Sequence, residues 1–394
     1  VVLIGTYSSL NLGDYSMQLS FVNQLFPLLP DHHTITICSP NAETDRTRYG
    51  DKVRVVQSYR KNPLAMVLAG TALVANVFWR HRLLAIGAEA SAIRDADLVV
   101  NLSGDMLTED YGVLVGLTHL YPLWLARYYR KPLYVIGQSI GPFKLLRRPF
   151  KSILSYAQSV TCRDEISFNY LERLIGNANL SCTGDLVFNF HPTLKTARHL
   201  DDMKPASLTV GVSLSQLILD RQRNRGERPL HEIAKVIQKL AERFELGVLL
   251  VPHVLGPGPT KDDRLVLMRL GELLPGISWD LVDSTSPEMV RSLISKCDLF
   301  IGARMHSNIA ALSSGIPVIA LAYSHKSLGI MRQFGLKGFI VDAQDITSEL
   351  ILSKVDAVLV SYNELCEGIF SSLADVRASS KRNMDPFLKL AKEH

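Results

Sequence analysis

The sequence predicts an α/β protein of two Rossmann-like lobes facing each other across a cleft, followed by a helical C-terminal tail. Short apolar, β-branched runs alternate with longer helical patterns from end to end, as expected for parallel strands joined by crossover helices. The 394 residues, 47% of them apolar, exceed one ordinary domain of ~100–200 residues. A polar stretch with little periodicity, Lys195 to Ser207, interrupts the alternation near its middle and reads as a linker.

In the first half the strand candidates are 1–4, 34–38, 53–56, 98–101, 133–136 and 159–162, each a short run rich in Val, Ile, Leu or Thr. Between them 15–26 and 119–129 have helical patterning. After the linker, 209–213 reads as a strand, 231–244 as an amphipathic helix, 247–252 as a buried strand and 264–274 as a helix. The segments 289–296, 299–301, 308–313 and 317–320 continue the alternation, and 348–390 reads as helix. The expected organisation is therefore an N-terminal lobe over 1–200, a C-terminal lobe over 201–346 and bracing helices over 347–394. In such lobes, strand carboxyl ends and helix amino ends converge on the cleft.

The formal charge of +5 is small for this length, and the basic residues are mostly scattered. No concentrated basic face appears, so a nucleic-acid partner is not expected. The densest basic patch is 144–151, containing Lys144, Arg147, Arg148 and Lys151. It fits a solvated loop or an anchor for anionic lipid or a polyanion. The run 63–79 carries no charge. It is shorter than the ~20 residues that span a bilayer, and suits either a buried helix or one lying on a membrane surface. A second apolar run, 111–126, has Asp and Arg close by and is expected to pack inside. Five scattered cysteines without zinc spacing suit a reducing compartment. With no secretory leader pattern at the start, the expected location is cytoplasmic, with the inner face of the membrane as an alternative.

Four motifs fall where strands give way to helices. The loop from Gly5 to Asp14 offers glycine and exposed amides to an anion or sugar hydroxyl, although Asp14 could equally cap the following helix. It has neither dinucleotide nor P-loop spacing. Asn101 to Asp105 and Gly137 to Pro142 place small, hydrogen-bonding residues at two further strand ends; each alone could be a tight turn. The fourth motif is the most specific. Arg304-Met305-His306 follows a buried strand and opens a helix, pairing a guanidinium suited to phosphate or carboxylate with an imidazole that titrates near neutrality.

These motifs, in this order, resemble the polysaccharide pyruvyl transferase family. The similarity runs from Gly5 to about Gly335 and includes Gly13-Asp14, Gly137-Gln138 through Gly141-Pro142, Arg163-Asp164 with Ser167, Gly184-Asp185, Pro252-His253, Arg304-Met305-His306, Gly315-Ile316-Pro317 and Tyr323 to Lys326. Near residue 103 the family usually carries a run of glycines, which Ser103 and Asp105 interrupt here. The resemblance implies a fold like the GT-B glycosyltransferases, phosphoenolpyruvate as donor and a ketal product on a sugar. It implies donor contacts from Arg304, Met305 and His306, with His306 as the catalytic group, and from Arg163; Lys326 is a further candidate clamp. Phosphoenolpyruvate carries a phosphate and a carboxylate on one small frame, so more than one cation is wanted. By elimination Asn11, Asp14, Asp105 and Gln138 are expected to face a glycan or lipid-linked acceptor. The chemistry demands no metal and no cofactor. The alternatives are a GT-B glycosyltransferase using a nucleotide sugar, because the same cleft serves a diphosphate, and a glycan-binding scaffold without catalysis.

Overall fold

The computed structural model describes the chain except residues 31–32, 62–65, 67–86, 191–206, 222–225, 259–260, 323–324 and 394, and gives only the backbone of 61, 221, 325–327 and 393. It comprises two compact units. The first takes in Val1–Ser9, Met17–Leu186 and Ser379–His394, and the second Leu10–Ser16 and Val187–Ala378.

The first unit is built on seven strands: β1 (Val2–Ile4), β2 (Thr36–Ser39), β3 (Arg54–Gln57), β4 (Val99–Asn101), β5 (Leu133–Gln138), β6 (Ser159–Cys162) and β7 (Leu180–Cys182). All are parallel, in the order β3-β2-β1-β4-β5-β6-β7. The chain winds outward from β1 to β3, then returns beside β1 and winds the other way, so the strand order reverses between β1 and β4. The crossovers include α1 (Leu12–Leu25), α2 (Ala42–Tyr49), α3 (Ala88–Asp95), α4 (Val113–Tyr128), α5 (Arg147–Leu154) and α6 (Glu165–Ile175). The inner strands are apolar on both faces because helices cover both, which is why they read as continuous runs rather than alternations. Val99, Val100, Leu133, Val135 and Val160 are fully buried.

The second unit repeats the plan with β8 (Ser207–Ser213), β9 (Glu245–Leu250), β10 (Ser278–Leu281), β11 (Leu299–Gly302), β12 (Val318–Ala322) and β13 (Ile340–Asp342) in the order β10-β9-β8-β11-β12-β13. Again all pairs are parallel, and the reversal falls between β8 and β11. Its helices are α7 (Gln216–Arg221), α8 (Arg228–Ala241), α9 (Asp263–Glu272), α10 (Pro287–Ile294), α11 (Met305–Leu312), α12 (His325–Gln333), α13 (Ser348–Val360) and α14 (Tyr362–Lys381); α15 (Asp385–Glu393) follows. Ile233, Val236, Ile237 and Leu240 of α8 pack with Val266, Leu267 and Leu270 of α9 and Ile351, Val355 and Val358 of α13 in one apolar cluster with the strands.

The α/β class and the helical tail are as the sequence predicts. Strands β7, β10 and β13 were absent from the expected set. Each is an outermost or short strand: β10 has no fully buried residue, and β7 and β13 have three residues each. Ser207, the expected end of the linker, is instead the first residue of β8, paired with Glu245; the rest of the linker up to residue 206, like nearly all of the uncharged run 63–79, lies outside the described residues. The apolar run 111–126 does pack inside for the most part, as α4, with Leu120, Tyr121, Leu123, Leu125 and Ala126 buried. The tail is divided between the units. Tyr362 donates to the Asp298 carbonyl (3.1 Å) in the second. Past Ala378, Asn383 donates to the Gly184 carbonyl (2.8 Å) and accepts from Thr161 (2.6 Å) and Thr183 (2.8 Å) in the first. Among the described residues no helix is long and apolar enough to cross a membrane.

Candidate active site

In open parallel sheets, ligands bind beyond the strand carboxyl ends where the strand order reverses. In the second unit that point lies beyond β8 and β11. Strand β11 ends at Gly302, the Ala303 amide donates to the Ser213 carbonyl of β8 (2.7 Å), and Arg304 then turns extended to precede α11. The turn is tight because Asn308 folds back to donate to the Gly302 carbonyl (3.1 Å). A Cβ on Gly302 would fall 1.8 Å from the Asn308 Oδ1, so a side chain there is excluded. Arg304, at the N-cap of α11, makes no side-chain cap to its first amides, which leaves its positive end suited to an anion.

Arg304 is held rather than loose. Its Nε and Nη2 donate to the two carboxylate oxygens of Asp263 at 3.0 and 2.6 Å. Such a bidentate pair fixes the guanidinium plane. Asp263 opens α9 and is almost fully buried, whereas Arg304 remains 17% exposed. The same carboxylate accepts the amides of His253 (3.2 Å) and Val254 (2.9 Å). Burial pushes its pKa up, opposed by Arg304 and these two amides.

His253 lies three residues beyond β9 and is buried, with its Nδ1 lacking a hydrogen-bond partner among the described residues. Burial first, then the nearby charges of His306 and Arg304, bring its pKa down to about 3. It is therefore neutral near pH 7.

The Gly13 loop is fastened to this same corner. The Leu12 amide donates to the His253 carbonyl (2.9 Å), and Leu255 donates to the Leu10 carbonyl (2.8 Å). Gly13 itself lies against the His306 ring, where a Cβ would stand 2.2 Å from Nδ1 and 2.7 Å from the histidine Cβ. Asn11 accepts the Gly13 amide (3.1 Å) and donates to Asp14 (2.5 Å). The cap of α1 is thus Asn11, one position before the helix begins, while Asp14 lies inside its first turn.

The expected site residues divide accordingly. Asn11, Asp14, Arg304, Met305 and His306 share the second unit, all partly exposed. Asn11 and Asp14 thus belong with Arg304 and His306, although their position in the sequence suggested the other lobe; the backbone bonds to His253 and Leu255 are the reason. Asp105, Gln138 and Arg163 lie in the first unit. The Lys326 side chain is outside the described residues. Gln138 is fully buried and spends its amide on Asn101 and Ser103, tying the ends of β4 and β5 together. Asp105 accepts the Tyr111 hydroxyl (3.0 Å). Arg163 is 2% exposed and pairs with Asp185 (2.9 Å), its Nε donating to Ser139 (2.9 Å). Its charge is matched by Asp185 inside the first unit.

Sequence reasoning missed Asp263, a carboxylate with no motif around it, and gave His253 no role. It also missed a polar cluster at the reversal point of the first unit, beyond β1 and β4. There Arg60 donates to the Thr6 carbonyl (2.5 Å), lies 3.5 Å from His119 Nε2 and sits 5.9 Å from the Tyr7 ring centre. Burial, then Arg60, pushes the His119 pKa well down. His119 lies six residues into an apolar helix, so nothing in the local pattern separates it from a core residue.

The family model described as polysaccharide pyruvyl transferase matches residues 11–325. The amylovoran biosynthesis protein AmsJ of Erwinia amylovora is 29% identical over 285 residues, covering 69% of this chain and 68% of that one. Among solved structures, UDP-GlcNAc 2-epimerase from Neisseria meningitidis, bound to UDP-GlcNAc, is similar in fold at 15% identity, with a TM-score of 0.58 over 98% of both chains. A glycosyltransferase from Rickettsia africae is similar at 12% identity, with a TM-score of 0.57 over 100% of this chain and 98% of that one. These likenesses place the fold with the GT-B enzymes and epimerases. With four-fifths of its length matched by one family model, and the Gly13 loop, His253 and the Arg304–His306 turn drawn into one corner, the chain belongs to the polysaccharide pyruvyl transferase family.

Proposed function

We propose that the protein transfers the pyruvyl unit of phosphoenolpyruvate onto two hydroxyls of a sugar in a polysaccharide or glycolipid precursor, forming a ketal. The observation that carries this reading is the Arg304 guanidinium, held bidentately by buried Asp263 and followed two residues later by His306 at the open amino end of α11. A small dianion needs oriented donors, and here a fixed guanidinium and helix amides are neighbours.

His306 protonates the C3 methylene, which builds positive charge at C2. A sugar hydroxyl attacks C2 and gives its proton back to the imidazole. The C2–O bond to phosphate then breaks, a second hydroxyl adds to C2, and its proton leaves with the phosphate. Neutral His253 adds no further positive charge beside Arg304 and His306, so the imidazole that must carry the proton is not opposed by a third cation. Met305, at the first position of α11, serves through its backbone amide. Asn11 and Asp14 flank His306 through Gly13 and line the place where an attacking hydroxyl enters. The first unit has polar candidates of its own for sugar hydroxyls. Asp105, Tyr7 and His119 are those side chains, while Gln138 and Arg163 hold the strand ends in place.

The test is to incubate the protein with phosphoenolpyruvate and a panel of glycan acceptors, following phosphate release and the product mass. Release coupled to acceptor, abolished by His306→Ala with the fold intact, is the expected result. A nucleotide-sugar transferase is the second reading, favoured by the fold shared with enzymes that bind UDP-sugars. It predicts thermal stabilisation by uridine or guanosine diphosphate and none by phosphoenolpyruvate, the reverse of our expectation.

A further inference from the structure

Beyond the sheet edge that carries Gln138, the first unit presents a surface that catalysis does not explain. The chain leaves β5 through residues 139–146 and enters α5, and every third or fourth side chain of this stretch is anchored. Phe143 stacks on Phe150 with centroids 4.1 Å apart, and Leu146 packs where a Cβ on Gly116 of α4 would meet it at 2.7 Å. Glu109 fixes the loop between them, its carboxylate accepting the amides of Lys144 (2.9 Å), Leu145 (3.1 Å) and Leu146 (2.7 Å). Because these anchors are set, the intervening side chains must point outward. Leu145 is 77% exposed, and Lys144, Arg147, Arg148 and Lys151 are exposed around it. On the neighbouring start of α4, Leu114 is 63% and Tyr111 43% exposed.

The stretch that carries Leu145 is charged with one sign. Residues 142 to 158 contain no Asp or Glu. Arg127, near the end of α4, joins the basic side by donating to the Ser152 carbonyl (3.1 Å). Glu109 is engaged with the loop amides, and beside Tyr111 stand exposed Asp110 and half-buried Asp105, which accepts the Tyr111 hydroxyl.

We propose that this surface, Leu145 and Leu114 with Tyr111 at the centre and Lys144, Arg147, Arg148 and Lys151 around them, docks the enzyme onto an anionic phospholipid membrane. The chemistry selects that partner. Cations placed beside lipid phosphates draw the protein to the surface, and leucines held outward by a rigid loop enter the boundary between headgroups and acyl chains. A soluble polyanion would satisfy the cations and leave both leucines in water. The docking surface sits on the loop that leaves the carboxyl edge of the sheet, so a lipid-linked acceptor would reach the first unit without leaving the membrane. The inference does not depend on the donor, and its failure would leave the transferase reading intact.

The experiment is co-sedimentation of the full chain with vesicles of phosphatidylcholine alone and of phosphatidylcholine containing about one-third phosphatidylglycerol. The chain should partition onto the anionic vesicles only, and salt should weaken binding. Each cation is worth about fivefold in partitioning, so Arg147→Glu with Lys151→Glu should reduce it more than 20-fold. Leu145→Asp with Leu114→Asp should release the protein without shifting its melting temperature or its turnover on a water-soluble acceptor, because both residues are largely exposed. Equal binding to the two vesicle types would overturn the proposal. So would unchanged binding of the leucine variant, or binding to a soluble polyanionic glycan with none to vesicles.

Discussion

Gly13 and Asp263 are the residues on which the geometry around His306 turns, and neither needs to touch a substrate to matter. At Gly13 the constraint is space: a methyl group would overlap the imidazole from Nδ1 to Cβ. Gly13→Ala is therefore expected to displace His306 by about 1 Å and lower turnover about 100-fold, with circular dichroism and melting temperature near those of the parent. At Asp263 the constraint is charge. Asp263→Asn keeps the shape but replaces a charge-assisted bidentate pair with neutral hydrogen bonds, so Arg304 is held less firmly. With phosphoenolpyruvate as the donor we propose, the expected outcome is a rise in its KM of about 10–100-fold and a stability loss of about 1–3 kcal/mol, read from steady-state kinetics and denaturant unfolding. A substitution that left both unchanged would mean that Arg304 is positioned by other contacts. At this scale the sequence made the Arg-x-His pair visible, because two chemically distinctive residues stand two apart beside a buried strand. Asp263 stayed hidden, since it lies 41 positions away and meets Arg304 only after β9 and β11 have been drawn into one sheet.

At the scale of elements, the turn from β9 into α9 joins folding to the site. It carries His253, whose carbonyl holds the Gly13 loop and whose ring is buried and neutral. A histidine pKa of about 3 in the folded protein, against ~6.5 unfolded, means that the unfolded chain binds the extra proton between those two values. Its contribution to stability is thus complete above pH ~6.5 and is lost as the pH falls toward 3, amounting to about 2 kcal/mol by pH 5. His253→Asn should flatten this part of the stability profile, as measured by denaturant midpoints from pH 7 to pH 4.5; an identical slope in the variant would refute it. The interior strands were legible because burial on both faces demands uninterrupted Val, Leu and Ile. Strands β7, β10 and β13 were not, because at or near a sheet margin they need less apolar surface, and β10 alternates exposed with half-buried residues over Ser278 to Leu281.

For the molecule as a whole, the last residues of the chain return to the unit in which it began. Asn383 bonds to Thr161, Thr183 and Gly184, Ser380 donates to the Asp185 carbonyl (2.7 Å), and Phe387 packs on Phe21 and Tyr134 with centroids 5.4 and 5.0 Å apart. Because Asp185 also pairs with Arg163, this closure supports the ends of β6 and β7. Asn383→Ala removes the oxygen that accepts the Thr161 and Thr183 hydroxyls and the amide that donates to the Gly184 and Ser380 carbonyls, and should lower stability by about 1–3 kcal/mol while sparing the affinity for phosphoenolpyruvate that we propose for the second unit. Calorimetry alongside ligand titration would separate the two effects, and a loss of affinity matching the loss of stability would contradict the assignment of the donor to that unit.

By itself the sequence determined the class of fold, the alternation of strands and helices, and the Arg304–His306 pair, since each is written in local periodicity or in residues adjacent along the chain. Tertiary structure alone decided that Asn11, Gly13 and Asp14 belong with His306, that Arg163 is matched by Asp185 inside the first unit, and that Leu145 faces outward. Those outcomes depend on backbone bonds and packing between segments distant in sequence, such as Leu12 to His253 and Leu146 to Gly116. Parallel sheets bring strand ends together across long crossovers, so residues far apart in the chain come to share one corner of the fold.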